Sequence, residues 1–347
     1  MNLPAIPHLD PAAMDAARKR QNQLTKPQGS LGRLEEFSIQ LAGIYGQPIP
    51  SIKEKAVIVM AGDHGVVAEG VSAFPQEVTP QMVLNFLRGG AAINVLARQT
   101  GARIVVVDMG VAADLPSHPA LLARKIAPAT ANIALGPAMT RAQAEQAIQT
   151  GIEIATLEIE RGANLLATGE MGIGNTTPSA AIACALGGYA PAAVVGRGTG
   201  VDDDGLRRKI SAVERALAVN QPNPQDGLDV LARVGGFEIG GLAGVILAAA
   251  ARRVPVLIDG FISTAAAMIA VALAPQARPY LIAAHRSQEN GHRLMLEWLG
   301  LRPLLDLDLR LGEGSGAALA FPILEASLAI LREMATFGEA GVSEKAN

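Results

Sequence analysis

The chain has 347 residues, half of them hydrophobic and only 18% charged. That suits two domains, or one large α/β domain with an appendage, built around parallel strands covered on both faces. A net charge of −3 and 3% aromatic residues exclude a nucleic-acid binder that relies on a basic face or stacked rings, and the single cysteine, Cys184, excludes an intrachain disulfide and a cysteine-based metal site. The apolar stretches around Leu242–Ala251 and Phe261–Ala274 fall short of the roughly 20 residues that span a bilayer. The first twenty residues are polar and proline-containing and lack the apolar stretch of a secretory signal. These features lead us to expect a cytoplasmic protein with no membrane or nucleic-acid partner.

In chain order, the pattern predicts a separate helix up to about Thr25 and a strand at Ala56–Met60, followed by AGDHG with Asp63 and His64. A helix over Thr79–Arg98 leads to a strand at Arg103–Val107 and then DMG with Asp108. The helix Thr140–Arg161 has Thr140 as its N-cap and precedes a strand at Asn164–Ala167, followed by TGEMG with Glu170. Ala192–Val195 is a further strand candidate, and Asp204–Asn220 is helical behind three aspartates suited to a helix N-terminus. Ile239–Arg253 and Ser263–Ala274 read as buried helices. Strands at Val254–Ile258 and Pro279–Ala283 end in DGF, with Asp259, and AHRS, with His285. An amphipathic helix covers Ala317–Thr336, and the tail after Phe337 frays.

Short apolar runs alternating with helices predict an α/β fold with a doubly wound, mostly parallel, Rossmann-like sheet. Five runs end in polar side chains, four of them beside glycine, where the carboxyl edge of such a sheet forms a ligand-binding rim. The expected division is a large catalytic domain over residues 25–305. Residues 1–24 and 306–347 would form a small helical domain from both chain ends.

Two segments carry an isolated carboxylate among glycines: GEMGIGNTT with Glu170, and LRLGEGSGAA with Glu313. Bare backbone N–H groups at Gly172, Gly174 and Asn175, with the hydroxyls of Thr176 and Thr177, suit a phosphate at a helix N-terminus. The motif is neither a Walker A loop nor a dinucleotide fingerprint. A second loop, GRGTGVDDDGLRRK, offers Gly198, Thr199 and Gly200. Its Lys209 reads either as a point charge for phosphate or as a solvated helix lysine. Asp202, Asp203 and Asp204 suit helix capping better than metal binding, because they follow the glycines and head a helix. His64 has no partner at metal-ligand spacing. His285 and His292 flank a helix start, and Ser287 is placed for phosphate contact.

Read together and in order, KPQGSLGRLE, AGDHGVVAEGVSAFPQEVT, GEMGIGNTT, GRGTG, DGF and LGEGSGAA resemble the nicotinate-nucleotide–dimethylbenzimidazole phosphoribosyltransferases of cobalamin assembly. The likeness runs from about Leu24 to Glu333. It implies transfer of phosphoribose from nicotinate mononucleotide to 5,6-dimethylbenzimidazole, with Glu313 as general base and Glu170 at the ribose, in a homodimer. The departing pyridinium leaves as a neutral ring nitrogen, so one base suffices and no metal or other cofactor is required. Gly172, Gly174, Asn175, Thr176, Gly198, Thr199, Gly200, Lys209 and Ser287 would anchor phosphate and ribose. An apolar slot of Phe74, Met171 and Leu311, edged by Ser72 and Gln81, would take the acceptor. Two alternatives stand beside this reading: a magnesium-dependent, diphosphate-using phosphoribosyltransferase, and a non-catalytic protein that binds benzimidazoles or α-ribosides.

Overall fold

The computed structural model describes residues 1–198 and 200–343. Six strands, β1 (Glu54–Gly62), β2 (Ala102–Gly110), β3 (Leu121–Ala123), β4 (Ala163–Met171), β5 (Val256–Ile258) and β6 (Leu281–Ala283), form one sheet. Their order is β3-β2-β1-β4-β5-β6, and every pairing is parallel. Register places Ile58 opposite Val105 on one side and Thr168 on the other, with Ala167 opposite Leu257. The strand order reverses between β1 and β4, which opens a crevice at their carboxyl ends.

Alternation along β1 assigns the two layers. Met60 points toward helix Phe237–Ala251, where a Cβ on Gly241 would lie 2.3 Å from its sulfur. Val57, an odd number of residues away, points to the opposite face, where it meets Gly314 at the start of helix Ser315–Glu333. On the first face, helices Arg141–Glu160 and Phe237–Ala251 pack through bare glycines, and helix Phe261–Leu273 lies beside them. On the second, Ala92–Thr100, Ser315–Glu333 and Arg33–Tyr45 pack in turn. β1 is buried from Lys55 to Gly62, as the doubly covered sheet requires.

The chain ends meet. Leu24 bridges Thr336, the Thr25 N–H donates to Ala335 O, and the Arg20 guanidinium donates to Leu331 O at 2.6 Å. Among the described residues, Ser315–Glu333 alone has the length and apolar character of a membrane span, but just over half of its 18-residue window is buried and it packs against β4 and β5.

Two expectations are corrected, and one strand is new. Ala192–Val195 is not a strand: Pro191–Val194 forms one helical turn, as a proline at the first helical position favours. Thr79–Arg98 is two helices, Val78–Arg88 and Ala92–Thr100, because Gly89 takes φ 78° and closes the first. The segment after Asp108 contributes β3, an edge strand of three residues, too short for any alternation to register.

Candidate active site

Polar groups from the ends of β4, β5 and β6 converge on an open cleft of about 640 Å³, counting the space at its mouth, within the range of small-molecule sites. Its lining includes Glu170, Gly172, Asn175, Thr176, Gly198, Gly260, His285, Ser287 and Leu311. Glu170 lies on β4 itself rather than in the loop beyond it. Its Oε2 accepts from the Asn175 side-chain amide, and its Oε1 lies against the bare α-carbon of Gly312, where a Cβ would approach to 2.2 Å. Burial, with the Asp259 carboxylate adding and the Asn175 bond opposing, pushes the Glu170 carboxyl up to about 8.

Glu313 sits between Gly312 and Gly314 at φ 64° and is only 3% exposed. Glycines on both sides let the chain turn here, and helix Ser315–Glu333 begins just beyond Gly314. Glu313 Oε2 accepts from the Ile93 N–H at 3.2 Å, in the first turn of helix Ala92–Thr100. Burial raises its pKa, the Ile93 bond opposes, and Asp259 adds to the rise. Asp259, at the end of β5, accepts from the N–H groups of Gly314 (3.2 Å) and Ala317 (3.0 Å). It thereby fixes the turn that presents Glu313. His285 Nε2 lies 3.6 Å from the same carboxylate.

A buried cation lies behind the Thr176 end of the cleft. Lys209 is 2% exposed, so the solvated-lysine alternative is set aside. Its Nζ donates to Thr176 Oγ1 at 2.9 Å, in the first turn of helix Thr176–Gly187. A Cβ on Gly198 would meet that Nζ at 2.8 Å. Burial brings the Lys209 ammonium down to about 8, with Glu289 opposing. Ser287 faces the same cleft, as does Arg310, whose Nη1 donates to Gly198 O at 3.5 Å. Glu289 lies outside every glycine motif, and Arg310, though inside LRLGEGSGAA, lacks the flanking glycines that single out Glu313 there.

Not every expected residue reaches the cleft. Met171 and Leu311 line it, whereas Glu313, Lys209, Ser72, Phe74 and Gln81 do not. Ser72 Oγ accepts from the Phe74 N–H at 3.1 Å, and Phe74 is 49% exposed. Gly174 (φ 88°) backs onto Val67 and Gly200 (φ 106°) faces open space; Thr199 lies outside the described residues. Asp202 accepts from Gly205 N at 2.7 Å as the N-cap of helix Asp203–Asn220. Asp203 and Asp204 pair with Arg197 and Arg207. His64 lies outside the cleft lining. Its Nε2 pairs with Glu238 at 2.8 Å, a partner on a distant helix that no local spacing reveals. Burial disfavours the imidazolium, yet the Glu238 carboxylate outweighs it and raises the His64 pKa.

A phosphoribosyltransferase family model matches residues 6–342. The nicotinate-nucleotide–dimethylbenzimidazole phosphoribosyltransferase of Chloroflexus aggregans is 65% identical over 337 residues, covering 97% of this chain and 96% of its own. The enzyme of the same name from a Roseiflexus species is 63% identical over the same span. The crystal structure of CobT from Thermus thermophilus superposes with a TM-score of 0.94 at 55% identity, covering 96% of this chain and all of that one. With the sheet, the cleft and near-complete coverage in agreement, the chain belongs to the nicotinate-nucleotide–dimethylbenzimidazole phosphoribosyltransferase family.

Proposed function

We propose that the chain transfers the 5-phosphoribosyl group of nicotinate mononucleotide to 5,6-dimethylbenzimidazole, giving α-ribazole 5′-phosphate and nicotinate. The observation that carries this reading is a cleft lined by the buried carboxylate of Glu170 and by Thr176, with a second buried carboxylate, Glu313, next to the lining residue Gly312 and the buried Lys209 bonded to Thr176 from behind. The bond from C1′ to the pyridinium nitrogen breaks, and its electron pair stays on the departing nicotinate. The unprotonated nitrogen of the acceptor attacks C1′ from the opposite face, inverting a β-nucleotide to an α-riboside. Glu313 takes the proton from the other ring nitrogen, so no cation builds up on the product.

Glu170, with its carboxyl raised to about 8, is largely protonated near neutral pH without ligand. A bound pyridinium and the oxocarbenium character developing at C1′ favour its ionised form, which then stabilises that charge. Lys209, Ser287, Thr176, Asn175 and the backbone at Gly172, Gly174, Gly198, Thr199 and Gly200 hold phosphate and ribose in this reading. Met171 and Leu311 flank the acceptor. Phe74, Ser72 and Gln81 belong to it only if the Ser72–Gln81 segment folds over a bound base.

The chemistry requires no metal, and the capping and ion-pairing roles of Asp202–Asp204 favour this route over the magnesium-dependent one. A cytoplasmic homodimer belongs to the same proposal, as does a small helical domain made of residues 1–24 and 306–347. The meeting of the chain ends near Leu24 and Thr336 supports that division. The test is nicotinate release from nicotinate mononucleotide, with and without 5,6-dimethylbenzimidazole, in EDTA. Acceptor-dependent release that survives the chelator is expected. Release that needs magnesium, or none from folded protein, would overturn the reading. Light scattering should give the mass of two chains.

A further inference from the structure

His292 is fully buried at the start of helix His292–Leu299, away from the two carboxylates, and the transfer as written makes no use of it. Its ring joins the two loops that form one wall of the cleft. Nδ1 accepts from the Ser287 N–H at 2.8 Å. Nδ1 therefore carries no proton, and in the neutral ring the proton sits on Nε2. Nε2 lies 2.9 Å from Thr264 Oγ1, whose hydroxyl donates to Gly260 O at 2.8 Å. The result is a chain with one direction: Ser287 N–H to His292, His292 N–H to Thr264, and Thr264 O–H to Gly260. Burial, with His285 adding, depresses the His292 pKa to about 3, so the ring stays neutral and the direction holds at every working pH.

Ser287 and Gly260 both line the cleft, beyond β6 and β5. With its N–H occupied by His292, Ser287 has only its hydroxyl left for a ligand. That oxygen already accepts from the Glu289 N–H at 3.3 Å, which leaves the hydroxyl hydrogen free for an anion. From this geometry we infer that His292 is a positioning residue for the phosphate of the donor: it locks Ser287 so that the hydroxyl, and not the backbone N–H, faces the phosphomonoester. The inference rests on the transferase reading and adds the residue that sets discrimination between phosphorylated and unphosphorylated donors.

The experiment compares nicotinate mononucleotide with nicotinate riboside as donors for wild type, His292→Gln, His292→Asn and Thr264→Val. Gln reaches toward Thr264 and lacks an acceptor where Nδ1 stood; Asn places its carbonyl oxygen there. His292→Gln should lose roughly tenfold or more in kcat/KM for the mononucleotide, chiefly through KM, the scale of one hydrogen bond to a charged group. The riboside should change by less than about threefold, and His292→Asn should recover most of the loss. Thr264→Val, close in shape and lacking the hydroxyl, should raise the mononucleotide KM a few-fold and serves if His292→Gln folds poorly. Equal losses on both donors, or no loss on either, would overturn the inference while leaving the transferase intact. A folded wild type that releases nicotinate from neither donor would overturn the transferase reading itself.

Discussion

At the scale of single residues, two glutamates of one chemical type are set apart by what touches them. Glu313 keeps one backbone N–H as partner and Glu170 one side-chain amide, and burial raises both. If Glu313 is the base, Glu313→Gln should lower kcat by about 10²–10⁴ and leave the donor KM within about threefold. Its raised pKa should place the acidic limb of the pH–rate profile above the ordinary carboxylate range, with activity rising as pH passes through it. A variant that keeps the wild-type limb would assign that limb to another group. Glu170 makes a separate prediction about stability. Its folded pKa, about 8, exceeds the ordinary 4.5, so its contribution is full below pH 4.5 and lost as pH rises through 8. Replacement by Gln removes that loss. Melting of Glu170→Gln should therefore gain on wild type at pH 9 and not at pH 5, by on the order of a few kcal/mol, and an equal offset at both pH values would refute the assignment.

Between elements, the seam joining helices Arg141–Glu160 and Phe237–Ala251 depends on absent side chains. A Cβ on Gly151 would lie 1.8 Å from Gly241 O, and one on Gly244 would lie 2.0 Å from Ile148 O. Gly244→Ala should cost about 1–3 kcal/mol in urea unfolding through forced separation of the helices, with the donor KM unchanged because neither helix lines the cleft. Such backbone contact leaves no mark that a reader of sequence can use, since an apolar helix with glycines looks the same in any buried position. The strands were legible for the opposite reason: five apolar runs each ended in a polar group, four of them beside glycine, and β1, β2, β4, β5 and β6 lie on them. Pro191 and Gly89 overrode the periodicity that suggested a strand and one long helix. Glu170 and Glu313 stood out because each is alone among glycines. Glu238 and Glu289 did not, because their partners His64 and Lys209 come from far along the chain.

For the molecule as a whole, Glu313 and the Lys209–Thr176–Ser287 group depend on different parts of the chain. Lys209, Thr176 and Ser287 lie on the central segments beyond β4 and β6, whereas Glu313 opens a helix whose far end is held by the N-terminal segment. Arg20 supplies that hold: its guanidinium donates to Leu331 O at 2.6 Å, Arg332 O at 3.2 Å and Met334 O at 3.4 Å. These carbonyls belong to the last turn of Ser315–Glu333 and the residue beyond it, where a cation also opposes the helix dipole. Removing the guanidinium strands them and loosens the helix at the end remote from Glu313. Arg20→Ala should cost about 1–2 kcal/mol of stability. Because the helix also carries the turn that Asp259 fixes at Gly314 and Ala317, kcat should fall further than donor affinity. Calorimetric binding of nicotinate mononucleotide to this variant should stay close to wild type while turnover drops. A matched loss of binding and turnover would mean that the chain ends support the fold uniformly and do not act through Glu313.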